Sequence, residues 1–141
     1  MTIKTTVHLN FRGDARAALE FYKSAFGGEQ MLVTYADAHA VTDPAEADQI
    51  MWGQVASADG FHIMAYDVPA ARSWNPGESP VFVSVRGDDA DVLKGYWDKL
   101  SQGATVIQPI GPAGFSPLYG MLKDTFGVTW VLDLQVAYSA A

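Results

Sequence analysis

The 141-residue chain contains no cysteine. Disulfides, thiolate nucleophiles and zinc–sulfur sites are therefore excluded. Basic residues are scarce: 9 Lys and Arg stand against 16 Asp and Glu, for a net charge of −7 and a pI near 4.6. With no basic stripe to neutralise phosphates, neither nucleic acid nor an anionic membrane is an expected partner. No apolar run approaches membrane-spanning length, and the segment MTIKTTVHL lacks the long apolar core of a secretion signal. The expected compartment is the cytoplasm. A phosphate-cradling loop is missing, because Arg12-Gly13-Asp14 has no further glycines and no lysine, and no Gly-x-Ser-x-Gly elbow occurs. What is plentiful is apolar side chain. A hydrophobic fraction of 49% and an aromatic fraction of 12% supply a real core, and the length predicts one domain.

The chain repeats itself. Phe11-Arg12-Gly13-Asp14 and Val85-Arg86-Gly87-Asp88 each follow an apolar stretch (Val7 to Phe11; Val81 to Val85) and each lead into a helical pattern. Gly53, Gly60 and Asp67 are echoed by Gly120, Gly127 and Asp133. Two copies of a unit too small to bury its own apolar face are expected to pack into one domain, with any pocket where the copies meet. The reading is a first module over about 5–67, a linker over 68–79 and a second module over about 80–134.

Within the first module, Thr5 to Phe11 reads as a strand, Asp14 as an N-cap and Ala15 to Phe26 as a helix stopped by Gly27-Gly28. Gln30 to Ala36 reads as a strand, and the acidic stretch Asp37 to Asp48 as a surface loop with one helical turn after Asp43-Pro44. Ile50 to Ser57 and Phe61 to Tyr66 read as a hairpin around Ala58-Asp59-Gly60. In the second module the strand is Pro80 to Val85, Asp88 is the capping candidate, and Ala90 to Ser101 is the helix. Its apolar stripe is Val92, Leu93, Tyr96, Trp97 and Leu100. Thr105 to Ile107 reads as a short strand, Gly111 to Pro117 as a loop, and Leu118 to Lys123 with Val128 to Leu134 as a closing hairpin. Asp124 is expected to cap turn amides. The tail Tyr138 to Ala141 is expected to fray.

Several of these segments carry a family likeness. His8-Leu9-Asn10-Phe11, Gly13-Asp14-Ala15, Ala18-Leu19-Glu20-Phe21-Tyr22, Phe26-Gly27-Gly28 and Asp124-Thr125-Phe126-Gly127-Val128-Thr129-Trp130 together resemble the vicinal oxygen chelate superfamily. That superfamily includes glyoxalases, bleomycin resistance proteins and extradiol dioxygenases, and the likeness is to its PhnB-like branch. It spans about Thr5 to Leu134. The resemblance implies an α+β fold in which two βαβββ modules form an eight-stranded, incompletely closed barrel with the helices outside. It also implies a homodimer.

Metal-using relatives place His or Glu on the inner faces of several strands. Carried over by position, those places fall on Val7, Trp52, Gln54 and Val131, with His8 one residue off and so on the opposite face of its strand. Indole and isopropyl groups cannot coordinate a cation, so no metal and no cofactor is expected. The same alternation turns Thr129 and Val131 toward the cavity, and with them His62 and Met64. Trp52 matches Tyr119 across the repeat. Trp52, Gln54, Met64, Tyr66, Tyr119 and Met121 are the expected ligand-binding residues, with Phe115 as a lid in the Gly/Pro loop. The plainer alternative is that these rings fill the barrel.

His62 and His8 are the candidates for proton transfer, each set against a hydrogen-bonded or solvated strand histidine. His39 reads as a surface residue. Trp130 is expected outside the cavity beneath a helix, Trp74 as an anchor or lid in the linker, and Asp133 as the one acid able to enter the cavity. The function expected is a metal-free, PhnB-like protein that binds a small organic molecule in an aromatic cavity, closer to sequestration than to turnover. The alternatives are a metal-dependent lyase, isomerase or dioxygenase of the superfamily, and a non-catalytic dimeric module with a filled barrel.

Overall fold

Apolar residues recurring at three- and four-residue spacing make the first helix, α1 (Ala15–Phe26). Ala15, Ala18, Leu19, Tyr22, Ala25 and Phe26 are its buried stripe. Gly27, at φ +77°, turns the chain out of the helix. Gly28, at φ +96°, lies so close to the Ala56 carbonyl that no side chain fits there. The computed structural model describes residues 3–136. The chain divides into two compact units, Met1–Pro76 and Gly77–Ala141. The expectation for Tyr138 to Ala141 lies outside the described residues.

The first unit holds β1 (Val7–Phe11), α1, β2 (Glu29–Thr34), a 3-10 turn at Pro44–Glu46, β3 (Ile50–Ala56) and β4 (His62–Asp67). The second holds β5 (Phe82–Gly87), α2 (Ala90–Leu100), β6 (Thr105–Ala113), β7 (Ser116–Lys123) and β8 (Thr129–Leu134). Each is a βαβββ module with its own four-stranded mixed sheet, ordered β1-β4-β3-β2 and β5-β8-β7-β6. The pairs β1–β4 and β5–β8 are parallel and the others antiparallel. The α+β class and the two modules are as the sequence predicts.

Each helix covers one face of its own sheet. Under α1 lie Ile50, Val55, Ile63 and Ala65, all 1% exposed or less. Gly53 lets the helix settle, since a Cβ there would stand 2.5 Å from Leu19 Cδ1. In the second unit Leu93, Trp97 and Leu100 of α2 are buried, as are Val83, Leu122, Trp130 and Leu132. Gly120 plays the part of Gly53, its missing Cβ lying 2.8 Å from Trp97 Cζ3. The α2 stripe is narrower than predicted, because Val92 is exposed and Tyr96 only half-buried.

Two carboxylates organise the chain connections. Asp67 is 1% exposed, and its Oδ1 accepts from the backbone N–H of Gly13 and Ala15 at 2.7 and 3.0 Å. Its Oδ2 accepts from Ile50 N at 2.9 Å. Asp14 occupies the N-cap position of α1 but makes no side-chain cap bond, so the distant Asp67 replaces the local cap that the sequence predicts. Asp124 accepts from Phe126 N, Val128 N and the Trp130 indole, at 2.8, 3.0 and 2.8 Å, as a turn-capping residue should.

Other expectations shift. Asp89, not Asp88, caps α2, accepting from Asp91 N and Val92 N. Residues 111–117 are not a loop. Strand β6 continues through Pro109 and Pro112 to Ala113, and Gly114-Phe115 makes a tight connection to β7. The start of the expected linker is packed on the first unit: Val68 N donates to Phe11 O at 2.7 Å, and Ala70 N donates to Glu46 at 2.8 Å. Trp74 is an anchor there, with the Arg12 guanidinium over its ring at 5.5 Å and donating to the Pro69 and Arg72 carbonyls. Asp37 closes the turn after β2; the Thr34 amide and then its hydroxyl hold that carboxyl below the usual carboxylate range.

Two outcomes follow from this bonding. Asp67→Ala strands three buried amide donors, so urea unfolding should show a loss of roughly 3 kcal/mol or more, whereas Asp14→Ala should stay within about 0.5 kcal/mol. Equal losses would refute the assignment of the cap to Asp67. Tyr35 donates its hydroxyl to the Asp67 carbonyl at 2.6 Å, and burial, Tyr66, Asp67 and Glu46 raise its pKa above 10.0. The fold thus holds that proton more tightly than the unfolded chain, and stability falls as pH rises past about 10. Tyr35→Phe should cost about 1 kcal/mol at neutral pH, with the deficit shrinking above pH about 10 as the wild type alone loses this term. A deficit that stays constant or widens would contradict this.

Candidate functional site

Strand register decides which side chains face away from the helices. In the first unit β1 and β4 align His8 with Met64 and Asn10 with Tyr66. Strands β3 and β4 align Gln54 with Met64 and Ala56 with His62. Trp52 of β3 lies beside Val33 of β2. Since Ile63, Ala65, Gly53 and Val55 take the helix side, Trp52, Gln54, His62, Met64 and Tyr66 share the open side.

His8 shares it too, contrary to the sequence reading. Its ring meets Tyr66 edge-on at 5.0 Å, while Val7 aligns with Ile63 on the helix side. Between the helix motif at Phe21-Tyr22 and β1 lies the turn at Arg12 to Asp14. That turn bends at Gly13, at φ +110°, and strand parity does not survive counting through such a bend.

A short relay of polar atoms crosses this face. His62 Nε2 lies 2.8 Å from Gln54 Oε1, and His62 Nδ1 lies 3.2 Å from Thr6 Oγ1. An amide oxygen only accepts, so in the neutral ring Nε2 carries the proton and Nδ1 accepts from the threonine hydroxyl. By the same logic His8 Nδ1 donates to Asn10 Oδ1 at 3.1 Å. Beside the relay opens a cavity of about 490 Å³, walled by Lys4, Thr6, Gln54, Ser57, Phe61 and His62 among others. Thr6 and Lys4 escaped the sequence reading. Alternation along β1 groups Thr6 with His8, but the contact with His62 spans 56 residues and left no local signal.

In the second unit Met121 and Val131 are register neighbours on the open side, as are Tyr119 and Asp133. Phe115 sits edge-on to Tyr119 with centroids 4.8 Å apart. Asp133 is on this side as expected, but Arg86, which the sequence reading did not single out, holds it. Arg86 Nε donates to both Asp133 oxygens at 3.2 Å. The echo of Asp67 by Asp133 fails structurally: Asp67 aligns with Phe11 on the helix side, and Asp133 with Arg86 on the open side. Gly53 and Gly120 do correspond, each opposite a helix-side residue of the last strand (Ala65; Leu132). Thr129, the counterpart of His62, is 2% exposed and its hydroxyl has no hydrogen-bond partner among the described residues. Trp130 lies wholly buried on the helix side, as predicted.

The fold likeness raises a divalent metal, and the residues of each unit can be tested against one. Among the described residues no three His, Asp or Glu side chains come together. The first unit's open face offers two imidazoles, and both nitrogens of His62 already have protein partners. The second offers Asp133, held by Arg86. Within either unit this donor set does not fit a cation that needs several convergent ligands.

The sequence profile of the glyoxalase/bleomycin resistance protein/dioxygenase superfamily matches residues 6–132. No curated protein matches the chain. Among solved structures, protein PA1353 from Pseudomonas aeruginosa is similar, at 26% identity and a TM-score of 0.82, over 95% of this chain and 98% of that one. The PhnB protein from Bacillus cereus shares the fold at 24% identity and a TM-score of 0.70, over 94% of this chain and 100% of that one. A glyoxylase/bleomycin resistance protein/dioxygenase domain from Frankia sp. EAN1pec shares it at 13% identity and a TM-score of 0.64, over 96% and 99% of the two chains. With the profile running through both βαβββ modules, and PhnB-like proteins among its structural neighbours, the chain belongs to the glyoxalase/bleomycin resistance protein/dioxygenase superfamily.

Proposed function

We propose that the chain is a metal-free, PhnB-like binding protein that holds a small organic molecule on the open face of β1, β4 and β3. The observation that carries this is the gathering of Trp52, Tyr66, Met64, His8 and the Gln54–His62 pair on one side of that sheet, beside a cavity of about 490 Å³. Small-molecule pockets typically occupy roughly 300–1,000 Å³ and combine apolar walls with a few placed polar groups. Trp52 and Tyr66 supply flat apolar surface, and Gln54 and His62 supply the polar groups. A planar or apolar ligand suits that combination. Tyr119, Met121 and Phe115 give the second unit an aromatic open face of its own.

The remaining parts of the reading rest on composition and likeness. Among the described residues no helix is long and apolar enough to cross a membrane. We place the protein in the cytoplasm, as a homodimer without a cofactor. Its acidic balance argues against nucleic acid as a partner.

The test uses protein stripped of metals with a chelator and titrated with 2-naphthol, a planar probe, while tryptophan fluorescence is read. Saturable quenching is expected, and Trp52→Ala should weaken binding about tenfold, the equivalent of about 1.4 kcal/mol for a lost stacking surface. Added Mn²⁺ or Zn²⁺ should leave the affinity unchanged. Absence of saturable binding, or binding that appears only with the metal, would overturn the reading.

A further inference from the structure

The cavity beside the relay has a chemical sign. The protein carries 16 acidic residues and a net charge of −7, yet among the described residues no carboxylate lines this cavity. Among the described residues its one charged wall residue is Lys4, which has no ion pair there.

The hydrogen-bond relay fixes what the neutral wall residues present. His62 Nε2–H donates to Gln54 Oε1 at 2.8 Å, so the amide's acceptor end is taken. Its two Nε2 hydrogens have no acceptor among the described residues. A free glutamine can rotate its terminal amide and offer either end. With the proton on Nε2, that rotation would set the amide N–H groups against the imidazole N–H, two donors facing each other. In this tautomer Nδ1 accepts from the Thr6 hydroxyl, 3.2 Å away. His62 is therefore a positioning residue, and Gln54 is the group that meets the ligand.

We propose that this cavity is a subsite for the carboxylate of a planar organic acid, with Gln54 Nε2 as the neutral donor and Lys4 as the counter-charge. This rests on the binding face described above and names the class of molecule it takes. The planar body lies toward Trp52, two residues along β3 from Gln54 and so about 7 Å away. A carboxylate is an acceptor only, and it matches a donor-presenting amide beside an ammonium group. A neutral amide or alcohol of the same shape gains less, having no charge to meet Lys4.

The test compares 2-naphthoate with 2-naphthamide, by calorimetry or tryptophan quenching, on four versions of the full chain. Wild type should bind the acid at least tenfold tighter than the amide. Lys4→Met should bring that ratio near one with the amide's affinity unchanged. Gln54→Glu keeps an oxygen for His62 Nε2–H but replaces the donor with a charge of the ligand's own sign; it should weaken the acid more than thirtyfold and the amide only a few-fold. His62→Leu frees the Gln54 amide to rotate, and should lower the acid-to-amide ratio; a merely structural histidine would weaken both ligands equally and leave the ratio intact. Circular dichroism confirms that each variant is folded. If both probes bind wild type equally, or if Gln54→Glu leaves the ratio unchanged, the subsite is wrong while the aromatic binding face stands. If neither probe binds, both fall.

Discussion

The first unit is held together around one buried carboxylate. Asp67 ends β4, yet its two oxygens accept from the β1–α1 turn and from the first residue of β3, and its backbone carbonyl accepts from Tyr35. A charge 1% exposed is costly unless its lone pairs are met, and here three amide donors meet them. The consequence is geometric. With the start of α1 tied to the end of β4, the helix must lie on the side of the sheet to which Asp67 points. Ile63 and Ala65 go under it, and His62, Met64 and Tyr66 are left facing outward. The chemistry of the open face is thus set by a residue that does not stand on it.

The second unit reaches the same architecture differently. Leu134 stands where register would place a counterpart to Asp67, and the helix is anchored by the local cap of Asp89 instead. Its buried carboxylate is Asp124, which closes the β7–β8 turn and fixes the Trp130 indole under α2. Both units use a carboxylate with three donors, but at different corners. That is why matching Asp67 to Asp133 by sequence spacing misleads: a displacement of one residue moves a side chain from the core to the open face, where Asp133 pairs with Arg86.

What the sequence made legible follows from how local each signal is. Helix α1 could be read residue for residue from Ala15 to Phe26, because apolar spacing and the terminal glycines act within one turn of the chain. The β3–β4 hairpin was equally local. Strand β6 was not, since Pro109, Gly111 and Pro112 read as a loop. It is an edge strand, and its register shifts three times against β7. An edge position leaves some amides without a ladder partner, so the missing N–H of proline costs little there. The facing of Trp52 and Gln54 came from positions carried over by family likeness, and that of His62 and Met64 from the repeat and strand alternation. The facing of His8 required counting through a turn and failed. The Thr6–His62–Gln54 relay joins residues from three strand segments that only folding brings together.

The two open faces hold positions that correspond by register but differ in kind. Register places Trp52 opposite Tyr119 in the repeat, Gln54 opposite Met121, His62 opposite Thr129 and Met64 opposite Val131. Trp52 and Tyr119 are both aromatic and Met64 and Val131 both apolar, but Tyr66 gives way to Asp133. The polar positions Gln54 and His62 change as well. Where the first unit has an amide oriented by an imidazole, the second has a thioether and a buried hydroxyl with no hydrogen-bond partner among the described residues. A methionine at position 121 cannot be oriented by a hydrogen bond, and a threonine at position 129 is too short to bridge to its neighbour strand as the His62 ring does. The polar groups of the second unit's open face are instead the paired Arg86 and Asp133.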